Sequence, residues 1–559
     1  MTVPVPRPLV LVVRDGWGIR EEAAGNAVKL ARTPVVDRLL ATFPRSRLKA
    51  AGTAVGARDG IPGSSEVGHL NMGAGRVVDQ EIVRVDKLIA SPDFYANPKL
   101  GAALAHGRAH GSRLHLMGLV QDQGVHATED HLFALLDFCA HHRFERVVVH
   151  FFTDGRDSPP QSALTYLDRL EKKLAEVGFG RVASVMGRFY AMDRDRRWDR
   201  TRRAYDALVS GIGLRAPSAR EAIEAAYRRR LSESLPVAAD STVKDVETDE
   251  FIQPTLIAGP DGAFVATIAA GDAVIHFNYR QDRAIQLTRA FVEERLEEEG
   301  FHRGPRLPLF YLGLTRYYDE FPSYVIPPMS MAHLLGEELA EAGLWQLRLA
   351  ESTKYRHVTS FFNGKRLAPF PREDRIQVRS LKARENEAPE MRAAAVTAFA
   401  TTAIREGIRA ARALAARTGD VTVELDPDTP GEGDRYDVIV MNYANPDMVG
   451  HTGSLPAAVK AVEVVDACLG EVVATAHAAG GGALITSDHG NVEQMIDPIT
   501  GAPQTAHTSY DVDFILACPG LRDRGLRPAG VLADVAPTML DILGLPIPPE
   551  MTARSLLRA

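Results

Sequence analysis

The sequence predicts an α/β protein built on parallel sheets, and three observations predict it. Short, continuously apolar runs recur along the 559 residues, they stop at Gly- or Asp-rich turns, and Ala-, Arg- and Glu-rich stretches of helical period separate them. Continuous apolar runs suit strands covered on both faces, and the intervening helices supply the cover. In chain order the strand candidates are Leu9–Val13, Leu114–Leu119, Val147–Phe152, Ala273–Phe277, Leu309–Leu314, Val438–Met441 and Ala483–Thr486. Between them, helices are expected over Ala163–Val177, Asp282–Glu299, Pro389–Ala416 and Pro456–Ala478.

Two stretches read as seams. Val77–Ile89 alternates charged and apolar residues after the glycine-rich Gly68–Gly75, and Phe301–Pro308 carries Gly304 with Pro305 and Pro308. A chain that leaves one domain at the first seam and returns at the second has a discontinuous domain of residues 1–82 and 307–559. Residues 83–306 then form a second, inserted domain. The polar Arg228–Glu247 and the acidic Glu424–Gly433 read as surface loops.

Composition excludes several functions. With 65 basic and 72 acidic side chains, a formal charge of −7 argues against a nucleic-acid partner, which needs cations facing the phosphates. The first apolar run stops after Val13 at Arg14 and Asp15. A secretory core needs about 7–15 apolar residues and a membrane span about 18 or more. No later segment qualifies, so a cytoplasmic protein with no membrane partner is expected. The three cysteines, Cys139, Cys468 and Cys518, are too far apart to suggest a disulfide framework or a Cys-based zinc site.

The chemistry sits after the strands. Asp15 follows Leu9–Val13, Asp447 and His451 follow Val438–Met441, Asp488 and His489 follow Ala483–Thr486, and His507 lies in TAHTSY beyond. Ligand-binding groups of open parallel sheets gather beyond the carboxyl ends of strands. An Asp after a strand is by itself an ordinary turn or cap residue, and Asp447 with His451 at i and i+4 would also make a surface pair. Together the residues suit two divalent ions with mixed oxygen and nitrogen ligands. A second element, Gly63-Ser64-Ser65-Glu66-Val67-Gly68-His69, offers either an N-cap serine or a nucleophile whose proton a base or metal would draw off. A third is rich in arginine: Asp154-Gly155-Arg156-Asp157, Gly187-Arg188, Arg194, and Asn278-Tyr279-Arg280-Gln281-Asp282-Arg283. Guanidinium forks at strand ends would suit a small polyanion, although each alone would serve as a structural ion pair. His126, after Gln121 and Gln123, is either a general acid–base or a buried, hydrogen-bonded histidine.

These residues resemble those of the 2,3-bisphosphoglycerate-independent phosphoglycerate mutases of the alkaline phosphatase superfamily. The resemblance runs from DGWG at Asp15–Gly18 to LADVAPTMLDILG at Leu532–Gly544, through SSEVGHLNMGAGR, GRFYAMDRD, NPDMVGHTG and SDHGN. It implies an alkaline-phosphatase-like parallel-sheet domain, discontinuous in sequence, with an inserted α/β domain. It also implies interconversion of 3-phosphoglycerate and 2-phosphoglycerate, in glycolysis and gluconeogenesis, with no 2,3-bisphosphoglycerate. Ser65 is implied as the serine that becomes phosphorylated, and Lys354 as the lysine that helps hold the phosphoryl group. The implied metal shells are Asp447, His451 and His507 for one ion, and Asp15, Ser65, Asp488 and His489 for the other. Manganese is expected, with magnesium, cobalt or zinc as alternatives. His126, Arg156, Asp157, Arg188, Arg194, Arg280, Arg283 and Lys354 resemble the substrate-binding set, and Asp157 or His126 would carry the hydroxyl protons. The only partner expected is the small-molecule substrate, and the chain is expected to act as a monomer.

The sequence also departs from the family pattern. Arg14 stands where an apolar residue usually precedes the DGWG aspartate, and Ser64 replaces a usual asparagine. Gln121, Gln123, Gln281, Ile285 and Ser380–Met391 differ as well, but none of these changes removes a proposed ligand or the nucleophile. The same metal shell would serve a phosphatase, sulfatase, phosphodiesterase or phosphopentomutase, or a binding module whose catalysis has lapsed. The arginine-bearing insert and GRFYAMDRD favour the glycerate mutase.

Overall fold

The computed structural model describes residues 5–231, 246–259, 261–426 and 434–558. Residues 232–245 and 427–433 of the two expected surface loops lie outside the described residues. The chain divides into two compact units, one of Met1–Gln80 with Ser330–Ala559 and the other of Glu81–Met329.

Among the described residues the first unit carries a nine-stranded sheet. Its order is Val421–Glu424, Glu373–Val378, Gln346–Glu351, Val438–Tyr443, Leu9–Arg14, Gly482–Thr486, Val512–Ala517, Arg45–Lys49 and Ala529–Val531. From Glu373–Val378 to Gly482–Thr486 the neighbours are parallel, and antiparallel pairs appear only toward the margins. All six residues of Leu9–Arg14 are buried, as a central strand between two parallel partners requires. Alternate side chains divide between two cores: Val10, Val12, Ile439 and Ile485 face one, and Leu9, Leu11, Val440 and Leu484 face the other. Helix Leu455–Ala478 covers the first of these faces. Pro456 stands in its first turn, where a missing N–H costs nothing, and Ala458, Ala461, Val462, Val465, Leu469 and Val472 form its buried stripe.

Among the described residues the second unit carries an eight-stranded sheet. Its order is Tyr324–Ile326, Phe310–Thr315, Ala273–His276, Leu114–Leu119, Val147–Thr153, Arg181–Gly187, Thr255–Ile257 and Leu214–Ala216. The pair Arg181–Gly187 with Thr255–Ile257 is antiparallel and the rest are parallel. Helix Ala163–Val177 buries Tyr166, Leu167 and Leu170 and ends at Gly178, whose φ of +80° is the left-handed cap that glycine adopts without strain.

Three expectations need correction. The second boundary does not lie at 306, because Phe310–Thr315 and Tyr324–Ile326 extend the second unit's sheet and the unit runs to Met329. The breaker-rich Phe301–Pro308 is a loop of that unit, pinned by Phe301, whose ring packs on Trp198 and Tyr205. Asp282–Glu299 is not one helix: an α-helix spans Ile285–Val292, and a separate 3₁₀ turn spans Glu297–Glu299. Pro389–Ala416 is two helices, Ala393–Glu406 and Ile408–Arg417, separated by Gly407 at φ +85°. The alternating stretch at the first seam becomes helix Glu81–Ala90, which opens the second unit.

Candidate active site

In the first unit, four adjacent parallel strands deliver their following residues to one place. Lys354 comes after Gln346–Glu351, Asp447 after Val438–Tyr443, Asp15 after Leu9–Arg14, and Asp488 with His489 after Gly482–Thr486. Register aligns the ends, since Arg14 pairs with Tyr443 and Val13 with Thr486. Two glycines make the convergence possible. Gly16 has φ +74°, and a Cβ there would lie 2.8 Å from Cα of Asp447; a Cβ on Gly68 would lie 2.6 Å from the carbonyl oxygen of Asp488. The second contact lets helix Ser65–Ala74 pack directly on the Asp488 backbone. Ser64 is that helix's N-cap, its hydroxyl accepting from Val67 N, so Ser65 is left free of the capping role.

Ser65 is the centre of the cluster. Nζ of Lys354 donates to Oγ of Ser65, Oδ1 of Asp15 and Oδ2 of Asp447, each at 2.7 Å. Nε2 of His489 lies 2.9 Å from Oγ of Ser65, and that hydroxyl is 3.2 Å from Oδ1 of Asp15. Asp15, Ser65, Lys354, Asp447, Asp488 and His489 are all buried. His451 and His507, which meet Oδ1 of Asp447 at 3.3 and 3.2 Å, lead out to solvent. Burial and the charge of Asp488 raise the Asp15 carboxyl above the ordinary range. Burial would do the same to Asp447 and Asp488, but Lys354 and His451 hold Asp447 well below that range, and His489 holds Asp488 there.

The donor set fits two cations. Asp447, His451 and His507 form one group of convergent ligand atoms and Asp15, Asp488 and His489 another, each spanning no more than 4.8 Å. Three buried carboxylates face one ammonium, Lys354, so the cluster is short of positive charge. Oδ2 of Asp488 is buried with no hydrogen-bond donor among the described residues. The three histidines also use Nδ1 the same way, against backbone carbonyls of Thr505, Gly63 and Gly490. A carbonyl only accepts, so each Nδ1 carries a proton, and in the neutral ring each Nε2 is a lone pair pointing inward, the tautomer a metal ligand needs.

The second unit gathers its own cluster by the same rule, after the adjacent strands Ala273–His276, Leu114–Leu119, Val147–Thr153 and Arg181–Gly187. Nη1 of Arg188 lies 2.5 Å from both Oδ1 of Asp154 and Oδ2 of Asp157. Arg194 and Arg280 meet at Asp282, at 2.5 and 3.0 Å, and Arg156 reaches Glu250 at 3.4 Å. Arg283 donates to the carbonyl of Met192 at 3.1 Å. His126 sits between Asp157 and Asp282, at 3.8 and 3.6 Å. Burial, then the nearby charge of Arg188, pushes its imidazole down to about 3, so it is neutral at physiological pH. Gln121, one of the departures, holds the loop that presents His126 by donating to the carbonyl of Ala127 at 2.9 Å.

Four neighbours escaped the sequence reading as site residues: His69, Asn442 and Asn491 in the first cluster, and Asp154 in the second. Asn442 donates to Asp15 at 2.7 Å and Asn491 to Asp447 at 2.9 Å. Both asparagines are fully buried, and nothing in their sequence context separates them from ordinary buried amides.

Comparison with known proteins points to one family. Residues 85–319 match the family model described as BPG-independent PGAM N-terminus, and residues 431–547 match the Metalloenzyme superfamily. The chain is 47% identical over 560 residues to the 2,3-bisphosphoglycerate-independent phosphoglycerate mutase of Moorella thermoacetica, covering 100% of this chain and 99% of the relative. It is 46% identical to that of Chloroflexus aurantiacus, with 99% of each covered. Among solved structures, phosphoglycerate mutase from Leishmania mexicana at low cobalt concentration matches with a TM-score of 0.62 and 31% identity, covering 100% of this chain and 98% of that one.

Proposed function

The chain belongs to the 2,3-bisphosphoglycerate-independent phosphoglycerate mutases, and from that premise we propose that it moves the phosphoryl group of 3-phosphoglycerate to the 2-position, and back, by way of Ser65. It is an isomerase that needs no bisphosphoglycerate. One observation carries the role of Ser65: its Oγ lies within 2.9 Å of both Lys354 Nζ and His489 Nε2, in a buried pocket of carboxylates.

In this reading Asp447, His451 and His507 would hold one divalent ion, and Asp15, Ser65, Asp488 and His489 a second, manganese in both cases. When bound, the ions supply positive charge that acidifies the serine hydroxyl and balances the phosphate. Ser65 Oγ attacks phosphorus in line, its P–O bond forming as the bond to the glycerate oxygen breaks. Lys354, already at hydrogen-bond distance from Oγ, neutralises the equatorial phosphoryl oxygens. In the second unit, Arg156, Arg188, Arg194, Arg280 and Arg283 recognise the carboxylate and phosphate of the substrate. Asp157, with neutral His126 beside it, takes a hydroxyl proton and returns it to the other glycerate oxygen. Glycerate must stay bound while Ser65 carries the phosphate, since water reaching that phosphoserine would make the protein a phosphatase. The small soluble substrate is the only partner the reading needs, and it extends to a monomer acting in the cytoplasm.

The test is a coupled assay from 3-phosphoglycerate after chelation, with metals restored singly and bisphosphoglycerate absent, on wild type and Ser65→Ala. Wild type should regain turnover with Mn²⁺, and Ser65→Ala should bind metal, stay folded and show no mutase activity. Substantial turnover by Ser65→Ala would mean that another residue carries the phosphoryl group.

A further inference from the structure

His69 is fully buried on helix Ser65–Ala74, one turn beyond Ser65, and belongs to neither ligand group. Its Nδ1 lies 2.9 Å from the carbonyl oxygen of Ser65 and 3.2 Å from Oδ2 of Asp488. On the other side of the ring, Nε2 lies 3.1 Å from Nδ2 of Asn442. The same Nδ2 donates to Oδ2 of Asp15 at 2.7 Å. One imidazole and one amide therefore link Ser65, Asp488 and Asp15.

The chemistry of these contacts leaves a single arrangement. The Ser65 carbonyl can only accept, so Nδ1 of His69 bears a proton, and Nε2, 3.1 Å from the Asn442 nitrogen that donates to Asp15, is a lone pair. A lone pair admits only a donor, so the amide nitrogen of Asn442 must face it. That orientation also turns the nitrogen toward Asp15. A reversed amide would set Oδ1 against both the imidazole lone pair and the carboxylate, two acceptors facing an acceptor in a buried site. On the Asp488 side, the Nδ1–H is directed at the Ser65 carbonyl, so Oδ2 of Asp488 stays free of hydrogen bonds.

We propose that His69 is a positioning residue for the ion assigned to Asp15, Asp488 and His489: through its fixed tautomer it sets the Asn442 amide against Asp15, and it leaves Asp488 an open ligand oxygen. This rests on the two-ion reading above. Residues that orient metal ligands typically account for about 10–100-fold in metal affinity or activity.

The experiment is Mn²⁺ binding to the full chain, read from the free-ion signal in electron paramagnetic resonance, with thermal melts of the chelated proteins alongside. His69→Leu should weaken one of the two ions by about 10–100-fold and leave the other unchanged. His69→Gln should stay within about threefold of wild type, since a glutamine amide can donate to Ser65 and accept from Asn442. Asn442→Leu should reproduce the loss, and the double variant His69→Leu/Asn442→Leu should be no weaker than either single variant, the non-additivity of residues acting as one unit. Should His69→Leu not fold, Asn442→Leu with His69→Gln carries the same comparison. Unchanged affinity for both ions in folded His69→Leu, or additive losses, would overturn the inference. A wild type that binds no Mn²⁺ would instead overturn the two-ion reading itself.

Discussion

Nε2 of His451 lies 3.1 Å from Nε2 of His507, although Nδ1 of each ring is already committed to a backbone carbonyl. Two lone pairs thus face each other and the same oxygen of Asp447, an arrangement that needs a cation or extra protons between them. Asp447 raises the proton affinity of both rings, against the burial that opposes it. We expect His507→Ala to bind one Mn²⁺ fewer than wild type after dialysis, by metal analysis. Activity should fall by at least the ~10–100-fold that loss of a supporting residue costs. Because protons and metal compete for these nitrogens, the Mn²⁺ concentration for half-maximal activity should rise as pH is lowered. A flat dependence in the wild type would argue that His451 and His507 are not ligands.

Arg188 ties Asp154 to Asp157 through a single nitrogen, in surroundings where its side chain is almost wholly buried. Removing it strips both carboxylates of their counter-charge and loosens the loop that carries Arg156 and Asp157. For Arg188→Ala we expect the KM for 3-phosphoglycerate to rise by about tenfold or more, as loss of a charged hydrogen-bonding pair implies. Release of free phosphate per turnover should increase, because glycerate held less firmly leaves phosphoserine open to water. Phosphate release no higher than in wild type would count against Arg188 as a retaining group.

Much of this site was legible in the sequence because of one rule. Asp15, Asp447, Asp488, Arg156 and Arg280 each follow a continuous apolar run, and in a parallel sheet such positions converge whatever lies between them. Lys354 carried no such mark and entered only through the family resemblance. His69 and Asn442 stayed hidden because their roles depend on which way a ring and an amide face. Nothing in HLNMGAG or VIVMNY separates them from buried polar residues of no special function. The misplaced boundary at 306 has a similar cause. Gly304, Pro305 and Pro308 mark a loop, but they do not show that Phe301 anchors it between Trp198 and Tyr205. The split at Gly407 was hidden by helix-favouring alanines and arginines on both sides.

Arg14 shows what a departure from the family pattern does to the core. The side chain is fully buried on the face shared by Val10 and Val12, it stacks over Trp17 at 4.5 Å, and among the described residues none of its three guanidinium nitrogens has a hydrogen-bond partner. Burial pushes its pKa down to about 10 against the distant pull of Asp513 and Asp466. Replacing a buried ion pair by apolar residues of similar volume is often neutral or stabilising by about 1–4 kcal/mol, and the Arg14 guanidinium has no hydrogen bond among the described residues to lose. We therefore expect Arg14→Met to raise the urea midpoint of unfolding. A lower midpoint would show that Arg14 has a compensating interaction.

His276 makes the second unit acid-sensitive. Its ring is completely buried beside Tyr311 and Thr288, at 3.1 and 3.4 Å, and burial alone pushes its pKa down from 6.5 to about 3. In the unfolded chain the same imidazole titrates near 6.5, so below that pH the unfolded state binds a proton that the folded state refuses. Stability from this group is complete above about pH 6.5 and is lost as pH falls toward 3, with a slope approaching ~1.4 kcal/mol per pH unit. His150, also buried and held well below its ordinary value by burial and by His115, adds to the slope with the same sign. His276→Gln keeps a polar group beside Tyr311 but cannot titrate. Urea midpoints followed from about pH 7 to about pH 4.5 should fall less steeply in His276→Gln than in wild type. Equal slopes would mean that His276 takes up its proton without unfolding, through an opening local to helix Ile285–Val292 and strand Phe310–Thr315.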